Sequence, residues 1–246
     1  VMTSNSPYII GRQPVLEAIE SDKKIDKILI SKYAKGDIID KIKQLCRQID
    51  IHFQIVPEDK LQREFRNLNH QGVAALVSAI DYFELQDVIN DVLDKGELPF
   101  FIVLDGVTDV RNIGAIARTA YGLGVHGIII PQRGAAPLQA DAIKSSAGAL
   151  LHIPICRVAN LVAAVKDLKL NGIEVVGIHA HTNSYISEIK GDIPLALVMG
   201  AEDVGISPLV QKEINSFYKI PIQKLDSYNV SVATALTLYQ VVLNRS

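Results

Sequence analysis

The sequence predicts an α/β protein in two units, a small α/β unit followed by a larger one built on a parallel sheet with helices on both faces. Three observations carry this. Beyond Phe100, short and nearly continuous apolar runs recur with helical stretches between several of them, the pattern of strands buried on both faces. Residues 8–77 hold a separate alternation of helix-like and strand-like segments. Between the two lies a compositional break: residues 79–98 contain six acids against one lysine. At 246 residues, 48% of them apolar and 21% charged, the chain has room for two domains and enough apolar side chains to bury their cores.

In the first unit, Val15–Ile19 suggests a helix and Ile25–Ile30 alternates as a strand does. Asp37–Ile49 places Ile38, Ile42 and Leu45 on one helical face. Ile51–Val56 and Gly72–Ser78 read as further strands. In the acidic stretch, Leu85, Val88, Ile89, Val92 and Leu93 fall at helical spacing, which predicts an amphipathic connecting helix. The expected division is therefore a unit over 1–78, a linker helix over 79–97 and a second unit over 98–246.

In the second unit, strands are expected at Phe100–Val107, Gly127–Pro131, Ile153–Val158, Glu174–Ala180, Pro194–Gly200 and Phe217–Ile222. Helices are expected at Ile113–Leu123, Leu161–Leu170 and Pro208–Ile214. The last segment, Val230–Leu243, is apolar nearly all round, so it belongs in the core or at a subunit interface.

Composition narrows the function classes. No apolar run reaches the roughly 20 residues that span a bilayer, and Val1–Pro7 is short and polar, without the apolar core of a leader peptide. Cys46 and Cys156 stand alone, which fits reduced thiols in the cytoplasm better than a disulfide or zinc framework. The net charge of −2 does not announce a nucleic-acid binder. Its distribution says slightly more: residues 1–78 carry 12 Lys+Arg and 10 Asp+Glu, a net of +2, and the rest carry 13 and 17, a net of −4.

Open parallel sheets bind ligands beyond the carboxyl ends of their strands, and three such ends are unusual. In Leu104–Arg118 a strand ends, a loop follows, and a helix starts near Asn112, a good N-cap, with Arg111 and Arg118 on one polar side. In Leu197–Ile206 a buried strand runs into Gly200-x-Glu202-x-x-Gly205, where glycines allow close backbone approach to a ligand. In Ile220–Ala233 a polar loop leads to a helix capped by Ser227 or Asn229. Singly, each also reads as an ordinary capped loop or turn.

Together they are more specific. Asn112-x-Gly114-x-x-x-Arg118, then Met199-Gly200-x-Glu202-x-x-Gly205, then Ile220-Pro221 with Ser227-x-Asn229-Val230-Ser231-Val232-Ala233 resemble, in order and spacing, the three signature motifs of the SpoU, or TrmH, RNA ribose 2′-O-methyltransferases of the SPOUT class. Ile10–Ala18 and His70-Gln71-Gly72-Val73 resemble the start and end of that family's substrate-binding domain, so the likeness covers nearly the whole chain. The subgroup it resembles most is the RlmB-like 23S rRNA guanosine 2′-O-methyltransferases. The third motif departs from the pattern: Ile222 replaces Met, a Gly before Lys224 is missing, Tyr228 replaces Leu and Ala235 replaces Gly.

The resemblance implies a trefoil-knotted C-terminal domain, a ribosomal-protein-like α/β substrate domain before it, a homodimer formed through the C-terminal domain, and a structured RNA partner. It implies S-adenosylmethionine as cofactor, contacted by Met199, Gly200, Gly205, Ile220, Tyr228 and Ser231. Arg118, Asn112, Glu202 and Asn229 are the implied catalytic residues. Arginine is always charged, so Arg118 suits holding a phosphate and stabilising a developing alkoxide better than taking a proton. Glu202 could fix it through an ion pair. The expected reaction is methylation of a ribose 2′-hydroxyl, first in a guanosine of 23S rRNA. The alternatives are a tRNA ribose methyltransferase and a non-catalytic RNA-binding relative.

Methyl transfer from a sulfonium needs no metal, and none is expected. His179 and His181, two apart on a strand, face one side but lack an evident third ligand, so a structural or solvent role is expected. Ser145-Ser146 lacks a nucleophile-elbow context. There is no G-x-G-x-x-G after the Leu104 strand and no phosphate-binding loop, which speaks against NAD and ATP.

Overall fold

The computed structural model describes residues 7–21, 23–66, 68–135 and 137–245. The expectation about the polar start falls largely on residues 1–6, outside the described ones. The chain divides into two compact units, Val1–Ala79 and Ile80–Ser246.

The first unit runs β1 (Tyr8–Ile10), α1 (Arg12–Glu20), β2 (Ile25–Ser31), α2 (Asp37–Gln48), β3 (Phe53–Val56), α3 (Glu58–Glu64) and β4 (Val73–Val77). Its sheet has the order β1-β4-β2-β3. β4 is antiparallel to both its neighbours, and β2 and β3 are parallel. Its main core gathers Val15, Ile19, Ile28, Ile30, Ile42 and Val73. On α2 the fully buried side chains are Ile39, Ile42 and Cys46, while Ile38 and Leu45 are half-buried, so the inward face is turned slightly from the expected one.

The second unit runs α4 (Leu85–Asp94), β5 (Phe100–Asp105), α5 (Val110–Gly122), β6 (Gly127–Pro131), α6 (Ala140–Ser145), β7 (Ile155–Val158), α7 (Leu161–Leu170), β8 (Glu174–Ile178), β9 (Leu195–Gly200), α8 (Pro208–Gln211), β10 (Ser216–Tyr218) and α9 (Val230–Arg245). Its six strands lie in the order β10-β8-β9-β5-β6-β7, all parallel. Strand β5 shows why its sequence is continuously apolar. Phe100, Ile102 and Leu104 join a core with Ile113, Ile116 and Ala117 of α5 and Leu238 and Val241 of α9. Phe101 and Val103 join the opposite core with Ile89 of α4 and Val165 and Leu168 of α7.

The acidic segment forms α4, which buries Leu85, Val88, Ile89 and Val92 in the core of the second unit's sheet. Helix α5 begins at Val110, two residues before Asn112, but Asn112 is not its cap. Its cap is Asp109, whose Oδ1 accepts from the Arg111 amide at 2.8 Å, and whose carboxyl is held below its usual range by the Arg111 side chain. Aspartate and asparagine cap equally well; Asn112 is engaged elsewhere. Both cysteines are free and buried, with thiols pushed up to about 11 for Cys46 and about 12 for Cys156, so neither is reactive near neutrality.

Helix α9 is not buried all round. Val230, Thr234, Thr237, Leu238 and Val241 face the core. Val232, Leu236, Tyr239 and Leu243, spaced by four, three and four, are 39–59% exposed and form an apolar stripe on one helical face. Among the described residues, no helix is long and apolar enough to cross a membrane.

Candidate active site

The sheet order leaves β8, β9 and β5 side by side, with their carboxyl ends at one edge. All three unusual loops converge there, and one carboxylate ties them together. Glu202 Oε1, in the loop after β9, accepts from Asn112 Nδ2 of α5 at 3.2 Å, from Asn229 Nδ2 at 2.5 Å and from the Val230 amide at 3.2 Å. Asn229 Nδ2 also lies 3.1 Å from Asn112 Oδ1. Three segments up to 117 residues apart in sequence are therefore held by one hydrogen-bond network, three of whose four bonds end on the same carboxylate oxygen.

Each loop is also braced internally. Ala201 and Gly205 exchange two backbone hydrogen bonds, at 3.2 and 2.9 Å. This tight return needs Gly205 at φ +67°, and a β-carbon on Gly200 would overlap the backbone of Gly205 and Ile206. Asp105 Oδ2, at the end of β5, accepts from the Ser207 amide at 2.7 Å. In the third loop the Tyr228 hydroxyl donates to the Pro221 carbonyl at 3.0 Å. That phenol closes the base of the shortened loop, giving a physical role to one of the departures noted in the motif. Asn229 Oδ1 caps α9, accepting from the amide and hydroxyl of Ser231 at 3.0 and 2.6 Å.

These loops enclose a cleft of about 370 Å³. Met199, Gly200, Glu202, Gly205, Ile220 and Tyr228 line it. Ser231 does not; its polar groups serve the cap. Asn112 lines a smaller adjoining hollow of about 250 Å³ together with Glu202 and Val230. The cleft wall includes three carboxylates, Glu202, Asp203 and Asp226, and, among the described residues, neither lysine nor arginine.

Two expectations change. Arg118 lines neither hollow and does not pair with Glu202; it is exposed, and among the described residues its guanidinium has no partner. It lies six residues beyond Asn112, about 9 Å along the helix axis, and Glu202 Oε1 already accepts three donors. His179 and His181, with Ile178 and Ala180, form one wall of the cleft. Their rings meet edge to face at 5.6 Å, and His179 Nδ1 accepts from the His181 amide at 3.1 Å. Only their position at a strand end of a parallel sheet signalled this. Among the described residues no group of three or more His, Cys, Asp or Glu side chains is placed to hold a metal ion.

Fold and site define an α/β enzyme domain with a ligand cleft at the carboxyl edge of its sheet, preceded by a small α/β unit. Residues 99–239 match the SpoU rRNA methylase family, and residues 8–83 match the RNA 2′-O ribose methyltransferase substrate-binding family. The chain belongs to the SpoU/TrmH family of tRNA/rRNA methyltransferases. YacO of Bacillus subtilis (strain 168), placed by its name in the TrmH family of tRNA/rRNA methyltransferases, is 37% identical over 246 residues, 100% of this chain and 98% of that one. A Staphylococcus haemolyticus protein placed in the same family is 38% identical over 238 residues, 96% of this chain and 95% of that one. Among solved structures, the fold is similar to the SpoU methyltransferase AviRb from Streptomyces viridochromogenes in complex with AdoMet, with TM-score 0.60, 23% identity, and 97% and 90% of the two chains covered. It is also similar to an AdoMet-bound rRNA methyltransferase from Sinorhizobium meliloti, with TM-score 0.55, 22% identity, and 95% and 85% covered.

Proposed function

We propose that this protein transfers a methyl group from S-adenosylmethionine to a ribose 2′-hydroxyl of structured RNA, with a guanosine of 23S rRNA as the first candidate and tRNA as the second. The observation that carries this is the cleft itself, glycine-lined, partly apolar, and walled by three carboxylates without a lysine or arginine among the described residues. Such a wall suits a ligand with a positive sulfonium and ammonium and disfavours the phosphates of NAD or ATP. Isoleucines 178, 220 and 222 offer an apolar seat for an adenine. S-adenosylmethionine supplies an activated methyl on a good leaving group.

The chain's own residues supply position and charge. Gly200 and Gly205 let backbone approach the cofactor, with Met199, Ile220 and Tyr228 beside it. Ser231 acts indirectly, holding Asn229 in place. Asn112, Glu202 and Asn229 fix the loops between cofactor and ribose, and positioning of this kind supplies several kcal/mol. Arg118, exposed and without a partner among the described residues, meets the RNA and stabilises negative charge on the ribose oxygen. The family's trefoil knot and RNA recognition by the unit before residue 79 belong to the same reading. The retained set of Asn112, Arg118, Glu202 and Asn229 favours an enzyme over a binding-only relative. Buried, unreactive thiols and an RNA substrate fit the cytoplasm.

S-adenosylmethionine or its homocysteine product is expected to raise the melting temperature. At a hundredfold excess over Kd the stabilisation is about 2.7 kcal/mol, on the order of 5–10 °C for a chain of this size. NAD and ATP should leave it unchanged. A scan in which neither S-adenosyl ligand shifts the transition removes the cofactor assignment.

The stripe Val232, Leu236, Tyr239 and Leu243 is the proposed seat of a homodimer through the C-terminal domain, since an exposed apolar face on an otherwise packed helix calls for a partner surface. Light scattering at micromolar concentration should give twice the 26.9 kDa chain mass. A monomer, or a dimer that survives Leu236→Lys with Tyr239→Lys, contradicts it.

A further inference from the structure

The first unit holds its own cleft, of about 440 Å³, at the corner where the β1–α1 turn meets the loops before α2 and β4. It is large enough for one nucleotide by the usual range of ligand pockets. Its wall combines an aromatic ring, a guanidinium and two side-chain amides: Tyr33, Arg12, Asn69 and Gln71.

Several bonds hold this corner rigid. Arg12 Nε donates to the Gln71 carbonyl and Nη1 to the Lys35 carbonyl, both at 3.0 Å. The Arg12 amide donates to Gln71 Oε1 at 3.1 Å. Gln71 sits at φ +48°, a conformation that side chains seldom adopt, and His70 Nδ1 accepts from the Gly72 amide at 3.1 Å. The Tyr33 amide donates to Ser31 Oγ, and that hydroxyl donates to Glu58. The Tyr33 ring is nevertheless 67% exposed. Lys32 Nζ lies 4.8 Å from its centroid on one face, which leaves the other face for a ligand. Positive charge stands beside it at Arg12 and Lys32, and the carboxylate of Glu58 is already engaged by Ser31 and lies 3.8 Å from His70.

A flat ring, amides with spare donors and acceptors, and a fixed guanidinium make up the chemistry that reads a splayed-out RNA base and its phosphate. Paired RNA offers no base face to stack. We infer that this corner seats one unpaired nucleotide of the RNA substrate, its base on the open face of Tyr33 and its phosphate at Arg12. The inference rests on the reading of this protein as an RNA methyltransferase and adds where, and in what state, the RNA is held.

The test uses the full chain with 23S rRNA and tRNA purified from a strain lacking the gene, read by filter binding. Tyr33→Ala should weaken binding to the substrate RNA about 10-fold, the effect of losing one base stack. Tyr33→Phe should bind as the parent does. Melting temperature and S-adenosylmethionine affinity should be unchanged in both. Parent-like affinity in Tyr33→Ala overturns the inference, and so does an equal loss in Tyr33→Phe, which would mean the ring face is not what matters. Methyl transfer by the parent protein is followed on the same RNA. Methylation with undiminished Tyr33→Ala binding defeats this inference alone, whereas neither methylation nor RNA binding by the parent defeats the underlying reading.

Discussion

Replacing Glu202 by alanine is expected to reduce methyl transfer by roughly 10²-fold or more, because a displacement on the order of 1 Å in a reacting constellation costs that much. The same carboxylate oxygen receives Asn112, Asn229 and the Val230 amide, so one substitution frees the loop after β9 from the other two segments, which stay joined by Asn229 Nδ2 and Asn112 Oδ1 alone. The stability cost should be modest, about 1–2 kcal/mol, since Glu202 is exposed and water can replace the lost acceptor. Glu202→Gln keeps an acceptor oxygen without the charge and should lose about 10-fold. Because Asn229 acts through the same oxygen, the double variant Glu202→Ala/Asn229→Ala should be little worse than the worse single one, the non-additivity of groups in one network. Single-turnover methyl transfer beside thermal melting measures this. Strictly additive losses, or near-normal turnover in Glu202→Ala, would show that the network does not organise the site.

The second large effect concerns Arg118. It is exposed and, among the described residues, without a partner, so Arg118→Ala should change stability by no more than about 0.5 kcal/mol. Activity should fall by roughly 10²-fold or more, as when other donors to a developing oxyanion are removed. Cofactor affinity should hold, since Arg118 lies outside the cleft. Arg118→Lys should recover only part of the rate, because an ammonium lacks the planar fork that grips a phosphate. Calorimetric cofactor binding and single-turnover transfer separate these effects. Normal turnover in Arg118→Ala refutes the role; parallel loss of folding and activity would make Arg118 a structural residue instead.

The sheet was legible because its strands are covered on both faces and punctuated at their ends. Gly127–Pro131 matches its expected bounds, bracketed by glycine and proline. Leu161–Leu170 does too, because Asn160 caps it through the amides of Val162 and Ala163. The three-residue β1 and the six-residue α6 left no periodicity to read, being too short for a repeat. At α5 the expected cap was Asn112, but Asp109, three residues earlier, fills that place. Asn112 is bonded instead to Glu202, a residue 90 positions away. Tertiary placement likewise decided that Ile178–His181 lines the cleft, and that Glu202 meets two asparagines rather than Arg118. Local pattern identified the chemistry-bearing loops, while the partners within the site came from the order of strands in the sheet.

In the proposed reaction the methyl group ends on a ribose oxygen. Alkali cleaves RNA by using the 2′-hydroxyl as the internal nucleophile, so a methyl there blocks cleavage at that linkage. The direct measurement is incubation of the protein with methyl-labelled S-adenosylmethionine and 23S rRNA from a strain lacking the gene, followed by alkaline hydrolysis. Label is expected in alkali-resistant dinucleotides, with an equivalent tRNA reaction separating the two candidate substrates. Label confined to mononucleotides would place the methyl on a base, and that result, or the absence of transfer to either RNA, would overturn the assignment of ribose 2′-O-methylation.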